Sequence, residues 1–592
     1  MNPEKLISSK LKEAVSNLYG NIPDESLFQT QATRKEFEGD ITAVIFPLLK
    51  ISKKSPEITS AEIGEYLISK CEEIESFNVV KGFLNLKLSN AYWLNVFNEI
   101  YIHKDWGQLP SSGKNVMVEY SSPNTNKPLH LGHIRNNLLG WSVAKLMEAN
   151  GHNVLKVNLV NDRGIHICKS MLAWYKAAKG ETPENSGMKG DHLVGKYYVL
   201  FNNMLKEEVS ALVASGMEKD EAEKNAPLMK EAQEMLLKWE QGDNEVVNLW
   251  KMMNSWVYKG FDETYKRLGV EFDKTYYESQ TYLLGKALVN EGQKKGVFYS
   301  KENGSVWCDL TLDGLDEKLL LRSDGTSVYM TQDLGTAHQR FTEFRLDELI
   351  YVVGNEQNYH FQVLKLLLKK LGFNWADSIF HLSYGMVELP EGKMKSREGT
   401  VVDADDLIED MVSTARETSL ELGKLDNLSV EEQNKVFETI GLGALKYFII
   451  KVDPKKTMLF DPKESIDFNG NTGPFIQYTH ARIKSILRKA SELNILPEFS
   501  GATLTGKEIE IIKMINYFPD KVEEAGSAHS PALIANFAYE LAKEFNQYYH
   551  EVPILKEEDS LIRAQRLVLI NSIAKVLSKA MTILGITLPE RM

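Results

Sequence analysis

Apolar residues recur at helical spacing in LISSKLKEAVSNLYG, close to the start of the chain, and predict an amphipathic helix. The next segment, FEGDITAVIFPLL, alternates with a period of two and reads as strand. EITSAEIGEYLISKC returns to helical spacing, NVVKGFLNLKLS is strand-like, and NAYWLNVFNEIY is helical again. Residues 1–110 are therefore expected to form a small α+β unit. The linker QLPSSGK is short, polar and carries Pro and Gly, which marks a boundary. From residue 115 the pattern becomes strand, helix, strand: NVMVEY, LGHIRNNLLGWSVAKLMEANG and HNVLKVNLVND fit a βαβ unit and a parallel sheet. Polar helical sequence rich in Glu, Lys and Met interrupts it at 176–260 and reads as a helical insertion. GVFYS, SVWCDL, LDELIYVVGNE and SIFHLSYGMVEL are sheet-like, with the helices MTQDLGTAHQRF and HFQVLKLLLKKLG among them. From about 403 the pattern is helical to the end. The expected fold class is α/β multidomain, with units at 1–110, 111–402, 403–465 and 466–592.

Length and composition agree with that picture. A chain of 592 residues exceeds what one core usually supports. Hydrophobic residues at 43% and charged residues at 26% describe an ordinary soluble protein. Cys71, Cys168 and Cys308 form no C-x-x-C pair, so neither a disulfide framework nor a zinc ribbon is suggested. The start, MNPEKLISSKLKEAV, has no signal-type apolar core, and no run approaches the ~18 apolar residues of a membrane span. A cytoplasmic protein without membrane association is expected. The net charge of −13, from 69 basic and 82 acidic residues, argues against non-specific coating of nucleic acid. It leaves room for a local basic face.

The chemistry concentrates in SSPNTNKPLHLGHIRNN, residues 121–137, at a strand-to-helix corner. A helix N-terminus offers unpaired N–H groups and the positive end of its dipole to an anion. Gly132 admits close approach, His130 and His133 can donate to phosphate with protonation strengthening them, and Lys127 adds a full charge. A capped helix with merely exposed histidines is the competing reading, and on H-x-G-H alone the two stand level. A metal site lacks a third ligand nearby.

The surrounding sequence shifts that balance. HLGH after a first sheet strand resembles the HIGH motif of class I aminoacyl-tRNA synthetases, and VEYSSPNTNKPLHLGHIRN resembles the form found in arginyl-tRNA synthetases. The resemblance implies a Rossmann-type catalytic domain in which Lys127, His130, Gly132 and His133 meet ATP phosphates. GKMKSREG, in residues 392–399, resembles the KMSKS loop of the same class. Lys393 and Lys395 would neutralise charge as pyrophosphate leaves; alone, the loop reads better as a solvated charged hairpin. It departs from the general pattern, with Lys395 third and Ser396 fourth. The resemblance implies that Lys127 compensates, and that Met386 and Val387 contribute to the ATP site.

A free arginine substrate needs carboxylates that receive a planar guanidinium. Glu119 ends the first strand, and Asp333 lies four residues after Tyr329, on one helical face with it. Taken singly, each carboxylate is better explained as a surface group or an ion-pair partner. The resemblance implies an arginine pocket from Glu119, Tyr329, Asp333 and Gln357, with Ser122 and Asn124 at the amino-acid end. VNDRGIH implies that Asn161 and Asp162 line the site; Arg163 and His166 stand where many relatives carry Trp and Gln.

GNTGPFIQYTHARIKSILRKA places Tyr478, His480, Arg482, Lys484, Arg488 and Lys489 in one expected helix, with Arg482 and Lys489 on one face. Most such runs are solvated helix faces. The resemblance implies an all-helical anticodon-binding domain from 466, a stem-contacting connection before it, and a tRNA-contacting N-terminal unit. It implies ATP-dependent activation of L-arginine and transfer to the 3′-terminal ribose of tRNA(Arg). ATP arrives with Mg2+ as substrate; no tightly bound cofactor, structural zinc or other metal site is expected, and a monomer is. Two alternatives are weaker. A different class I synthetase or adenylyltransferase lacks a reason for the Glu119–Asp333 pair, and a non-catalytic tRNA-binding paralogue lacks one for HLGH with a lysine loop.

Overall fold

The computed structural model describes residues 2–20, 24–34, 36–388, 402–421 and 428–592. Its centre is a five-stranded parallel sheet: β1 (Asn115–Glu119), β2 (Asn153–Val160), β3 (Lys274–Tyr277), β4 (Glu348–Gly354) and β5 (Ile379–Tyr384), in the order β5-β4-β1-β2-β3. The chain reverses direction across the sheet between β1 and β4, so the cleft for a ligand lies beyond the C-terminal ends of those strands. The two faces serve two cores. Val116 and Val118 of β1 join the core shared with the N-terminal and C-terminal helices, while Met117 joins the core beneath Leu334, Leu349 and Leu364. This is the period-two alternation of a strand covered on both sides.

The helix Leu131–Ala149 carries the chain from β1 to β2. It is buried nearly all round, because the sheet packs on one side and C-terminal helices on the other. The helical insertion falls between β2 and β3 and has a core of its own around Leu172, Tyr197 and Phe201. In the N-terminal unit the single strand-like stretch NVVKGFLNLKLS is two strands, Ile74–Val80 and Phe83–Leu88, paired antiparallel. Lys81 and Gly82 both take positive φ, 52° and 80°, and turn the chain tightly enough to form a hairpin. FEGDITAVIFPLL keeps strand geometry only over Ile41–Val44; helical turns follow around Pro47. GVFYS and SVWCDL do not enter the parallel sheet but form a separate antiparallel one with Lys318–Leu321.

The N-terminal unit is docked on the C-terminal helices. Trp106 Nε1 donates to the Ile515 carbonyl at 2.8 Å, Asn90 Nδ2 to the Leu504 carbonyl at 3.0 Å, and Lys513 pairs with Asp40 at 2.5 Å. Among the described residues no helix is long and apolar enough to cross a membrane.

Candidate active site

β1 ends at Glu119, and the chain then turns through Ser121 and Ser122, both at positive φ (77° and 47°). Two asparagines hold this turn: Ser121 N donates to Asn136 Oδ1, and Ser122 N to Asn158 Oδ1 at 3.0 Å. Asn136 also donates to the Val352 carbonyl of β4 at 2.8 Å, and so ties the corner to the strand beyond the switch point. The following loop is stitched to the end of β2, with Thr125 N donating to Asn161 O and Asn161 N to Pro123 O. Asn124 is left exposed beside it.

The helix begins at His130, and both histidines build its cap. Gly132 N donates to His130 Nδ1 at 3.1 Å, and His130 N donates to His133 Nδ1 at 3.2 Å. Because both Nδ1 atoms accept, each neutral ring carries its proton on Nε2, ready for an anionic oxygen. Burial, with Lys127 adding to it, lowers His130 to about 3 and pulls His133 well below the ordinary histidine range. The rings are therefore neutral donors at pH 7, and protonation does not strengthen them as expected from sequence. A Cβ at position 132 would lie 2.9 Å from the His130 ring, which accounts for the glycine. Burial lowers Lys127 as well.

Lys127 lines a cleft of about 870 Å³ together with Asn124, Asn161, Arg163, His166, Glu278 and Tyr329. Tyr329 opens the helix Tyr329–Glu343 and is 77% exposed. Asp333, one turn on, pairs with His360 Nε2 at 2.6 Å. Gln357 is exposed in the turn that follows β4. Glu119 behaves differently: it is buried, and the guanidinium it meets is that of Arg340.

Glu278, absent from the sequence-based reading, stands directly after β3 on the cleft wall. Burial, reinforced by Asp162 and Asp333 and opposed by Arg163, pushes its carboxyl up to about 7. Its signal in the sequence was positional, a carboxylate at the C-terminal end of a parallel strand. Asp162 turns inward instead of lining the cleft. It is buried and accepts from Ser279 N and Oγ and from the Tyr258 hydroxyl, which fixes the segment that carries Glu278. Arg163 pairs with Glu240 at 2.8 Å and lies 3.8 Å from the centre of the Tyr282 ring. His166 meets the Tyr198 hydroxyl at 3.1 Å.

Lys393 and Lys395 lie outside the described residues. The chain on either side is placed. Val387 packs into the core and pairs in parallel with Met458, while Met386 is exposed. Leu131 N donates to Val402 O and Ala404 N to Leu129 O, so the segment after residue 401 is bonded to the histidine corner.

A second cleft, about 1030 Å³, lies among the C-terminal helices. Tyr478, Arg482, Arg488 and Lys489 line it, with His550, Lys556 and Arg591. Arg482 stands between the Tyr478 and Tyr549 rings, 4.8 and 5.3 Å from their centres. Cations with stacking rings suit single-stranded nucleic acid. His480 is buried against the Pro589 carbonyl, and Lys484 sits outside the cleft, 3.9 Å from Glu590.

Comparison with known proteins agrees with this geometry. Residues 97–461 match the family model "tRNA synthetases class I (R), catalytic domain", 476–592 the DALR anticodon binding domain, and 5–88 the arginyl tRNA synthetase N terminal domain. The chain is 59% identical to the arginine–tRNA ligase of Parabacteroides distasonis, covering 100% of both chains. It is 60% identical to that of Bacteroides fragilis, covering 100% of this chain and 99% of the relative. In fold it is similar to the arginyl-tRNA synthetase of Thermus thermophilus, with a TM-score of 0.79 at 24% identity over 100% of both chains. A Rossmann-order sheet with a histidine-capped corner at its switch point and a basic, aromatic cleft in a helical domain is thus accounted for on one chain, which belongs to the class I arginyl-tRNA synthetase family.

Proposed function

We infer that this chain is an arginine–tRNA ligase that activates L-arginine with ATP and transfers it to tRNA(Arg), releasing AMP and pyrophosphate. The observation that carries this reading is the pairing of opposite chemistries in one place. Lys127, whose charge acts on two neutral histidines at a helix N-terminus, lines one cleft with Tyr329 and Glu278, and the Asp333 charge acts on Glu278.

In the first step an arginine carboxylate oxygen attacks the α-phosphorus of MgATP. A new P–O bond forms, the bond to the β-phosphate oxygen breaks, and pyrophosphate leaves. The chain supplies no covalent nucleophile; it positions the reactants and stabilises charge. The Nε2–H groups of His130 and His133, the backbone that Gly132 leaves open, and Lys127 receive phosphate oxygens. Lys393 and Lys395 complete that shell, with Met386 and the backbone of Val387 on the nucleotide side. Asp333 and Glu278 receive the substrate guanidinium with Tyr329 and Gln357, Ser122 and Asn124 hold the amino-acid end, and Glu119 joins Asp333 at the substrate's cationic groups. In the second step a ribose hydroxyl at the tRNA 3′ end attacks the arginyl carbonyl and displaces AMP. Tyr478, Arg482, Arg488 and Lys489 grip the anticodon arm, and Lys484 adds charge at the rim. We propose a monomer in the cytoplasm as the working form; the presence of both clefts on one chain supports the monomer. Charging of tRNA(Arg) with labelled arginine by the purified chain tests the proposal; absence of charging would overturn it.

A further inference from the structure

Period-two alternation turns Glu119 to the same face of the sheet as Met117, and Tyr351 of β4 lies beside Glu119 in register. The helix Tyr329–Glu343 covers this face. Arg340, seven residues and about two turns beyond Asp333, reaches down from it to the Glu119 carboxylate at Oε2. The pair is closed off from water, its side chains 1% and 7% exposed. Arg340 Nη1 donates to the Tyr351 hydroxyl at 3.0 Å. The Tyr276 and Tyr351 rings stand 5.0 and 5.4 Å from the guanidinium carbon.

Buried ion pairs are a poor source of stability, since apolar residues of similar volume often do as well. This one stands at the C-terminal end of the strand that leads into the Ser121–His130 corner, and the Arg340 guanidinium meets one of the two carboxylate oxygens, Oε2. Four charged or titratable groups surround Glu119: Arg340 and Asp333 from the helix, Tyr351 from β4 and Tyr276 from β3. Arg340 is the cation among them. Burial, with the Asp333 charge adding to it, raises the Glu119 carboxyl above the ordinary carboxylate range, and Arg340 is the group that pulls it back toward the anion.

We propose that Arg340 is the positioning residue of the arginine pocket, an internal guanidinium that holds Glu119 as an oriented anion so that Glu119 and Asp333 together meet the substrate's cationic groups. The proposal rests on the reading of this pocket as the arginine site. It makes the helix Tyr329–Glu343 the carrier of specificity along one stripe, with Tyr329 and Asp333 facing substrate and Arg340 setting the carboxylate behind them.

The test compares KM for arginine in tRNA(Arg) charging, from about pH 6.5 to about pH 8.5, for wild type, Glu119→Gln, Arg340→Met and Arg340→Lys. Ratios to wild type remove titrations common to all, Glu278 included. The expected ratio for Arg340→Met is about tenfold near pH 6.5 and shrinks toward pH 8.5 as Glu119 regains its charge. KM for ATP stays within about twofold of wild type, as a pocket-specific effect requires. Glu119→Gln raises KM by a ratio that does not change with pH. If Arg340→Met does not fold, Arg340→Lys decides: it keeps the charge but loses the fork, and a KM for arginine raised about threefold or more with kcat retained supports the proposal. Glu119→Gln with an unchanged KM would remove the pocket reading itself. Glu119→Gln with a raised KM, beside Arg340 variants that match wild type or show a pH-independent ratio for Arg340→Met, would overturn the role of Arg340 alone.

Discussion

In the proposed pocket Asp333 receives the substrate guanidinium, and a charge-assisted hydrogen bond of that kind contributes about 1.5–3 kcal/mol. Asp333→Asn is expected to lower kcat/KM for arginine by at least about tenfold. An unchanged value would take Asp333 out of the pocket. Glu278 adds a pH dependence. Its carboxyl is raised to about 7, so it is protonated in acid and becomes a carboxylate as pH rises. KM for arginine should therefore fall between about pH 6 and about pH 8, and Glu278→Gln should remove that change. A profile unchanged by the substitution would show that Glu278 does not meet the substrate. At this scale the sequence was legible where a motif fixed the residue. HLGH and the lysine before it pointed to Lys127, His130 and His133 at one helix corner, where the structure has them, but their ionisation was not legible, because burial and Nδ1 capping are properties of the folded corner. Glu278 carried no motif, and the partner of Glu119 lies 221 positions further along the chain in the sequence.

Among elements, the corner between β1 and the helix Leu131–Ala149 is tied to the neighbouring strands through Asn136. Its amide receives the Ser121 N–H and donates to the Val352 carbonyl and the Tyr384 hydroxyl. Asn136→Ala leaves buried backbone groups unpaired and should cost about 1–3 kcal/mol in denaturant unfolding; a loss under about 0.5 kcal/mol would contradict this. The helices and central strands were legible from periodicity, since each holds one pattern for ten or more residues or alternates between two buried faces. Two things were not. The hairpin at Lys81–Gly82 interrupts no hydrophobic pattern, so it hid inside one strand-like run. GVFYS and SVWCDL look like core strands locally, and only tertiary pairing assigns them to a separate sheet.

Over the whole molecule, an excess of 13 negative charges coexists with a cleft that holds Arg482, Arg488, Lys489, Lys556 and Arg591. Net charge therefore sets no limit on a nucleic-acid partner, because a local basic cleft coexists with it. The double substitution Arg482→Ala and Lys489→Ala should raise KM for tRNA and reduce the slope of log affinity against log salt by about 0.7 per cation removed. KM for arginine at saturating tRNA should not move; a shift there with no change in salt slope would place these residues outside the tRNA contact. Joining the two ends of the molecule is the claim that one cleft activates arginine and does so for tRNA. ATP–pyrophosphate exchange tests it most directly. Exchange is predicted with arginine in the presence of tRNA(Arg) and not with lysine. Exchange that is absent with arginine, or equal with lysine, would contradict it.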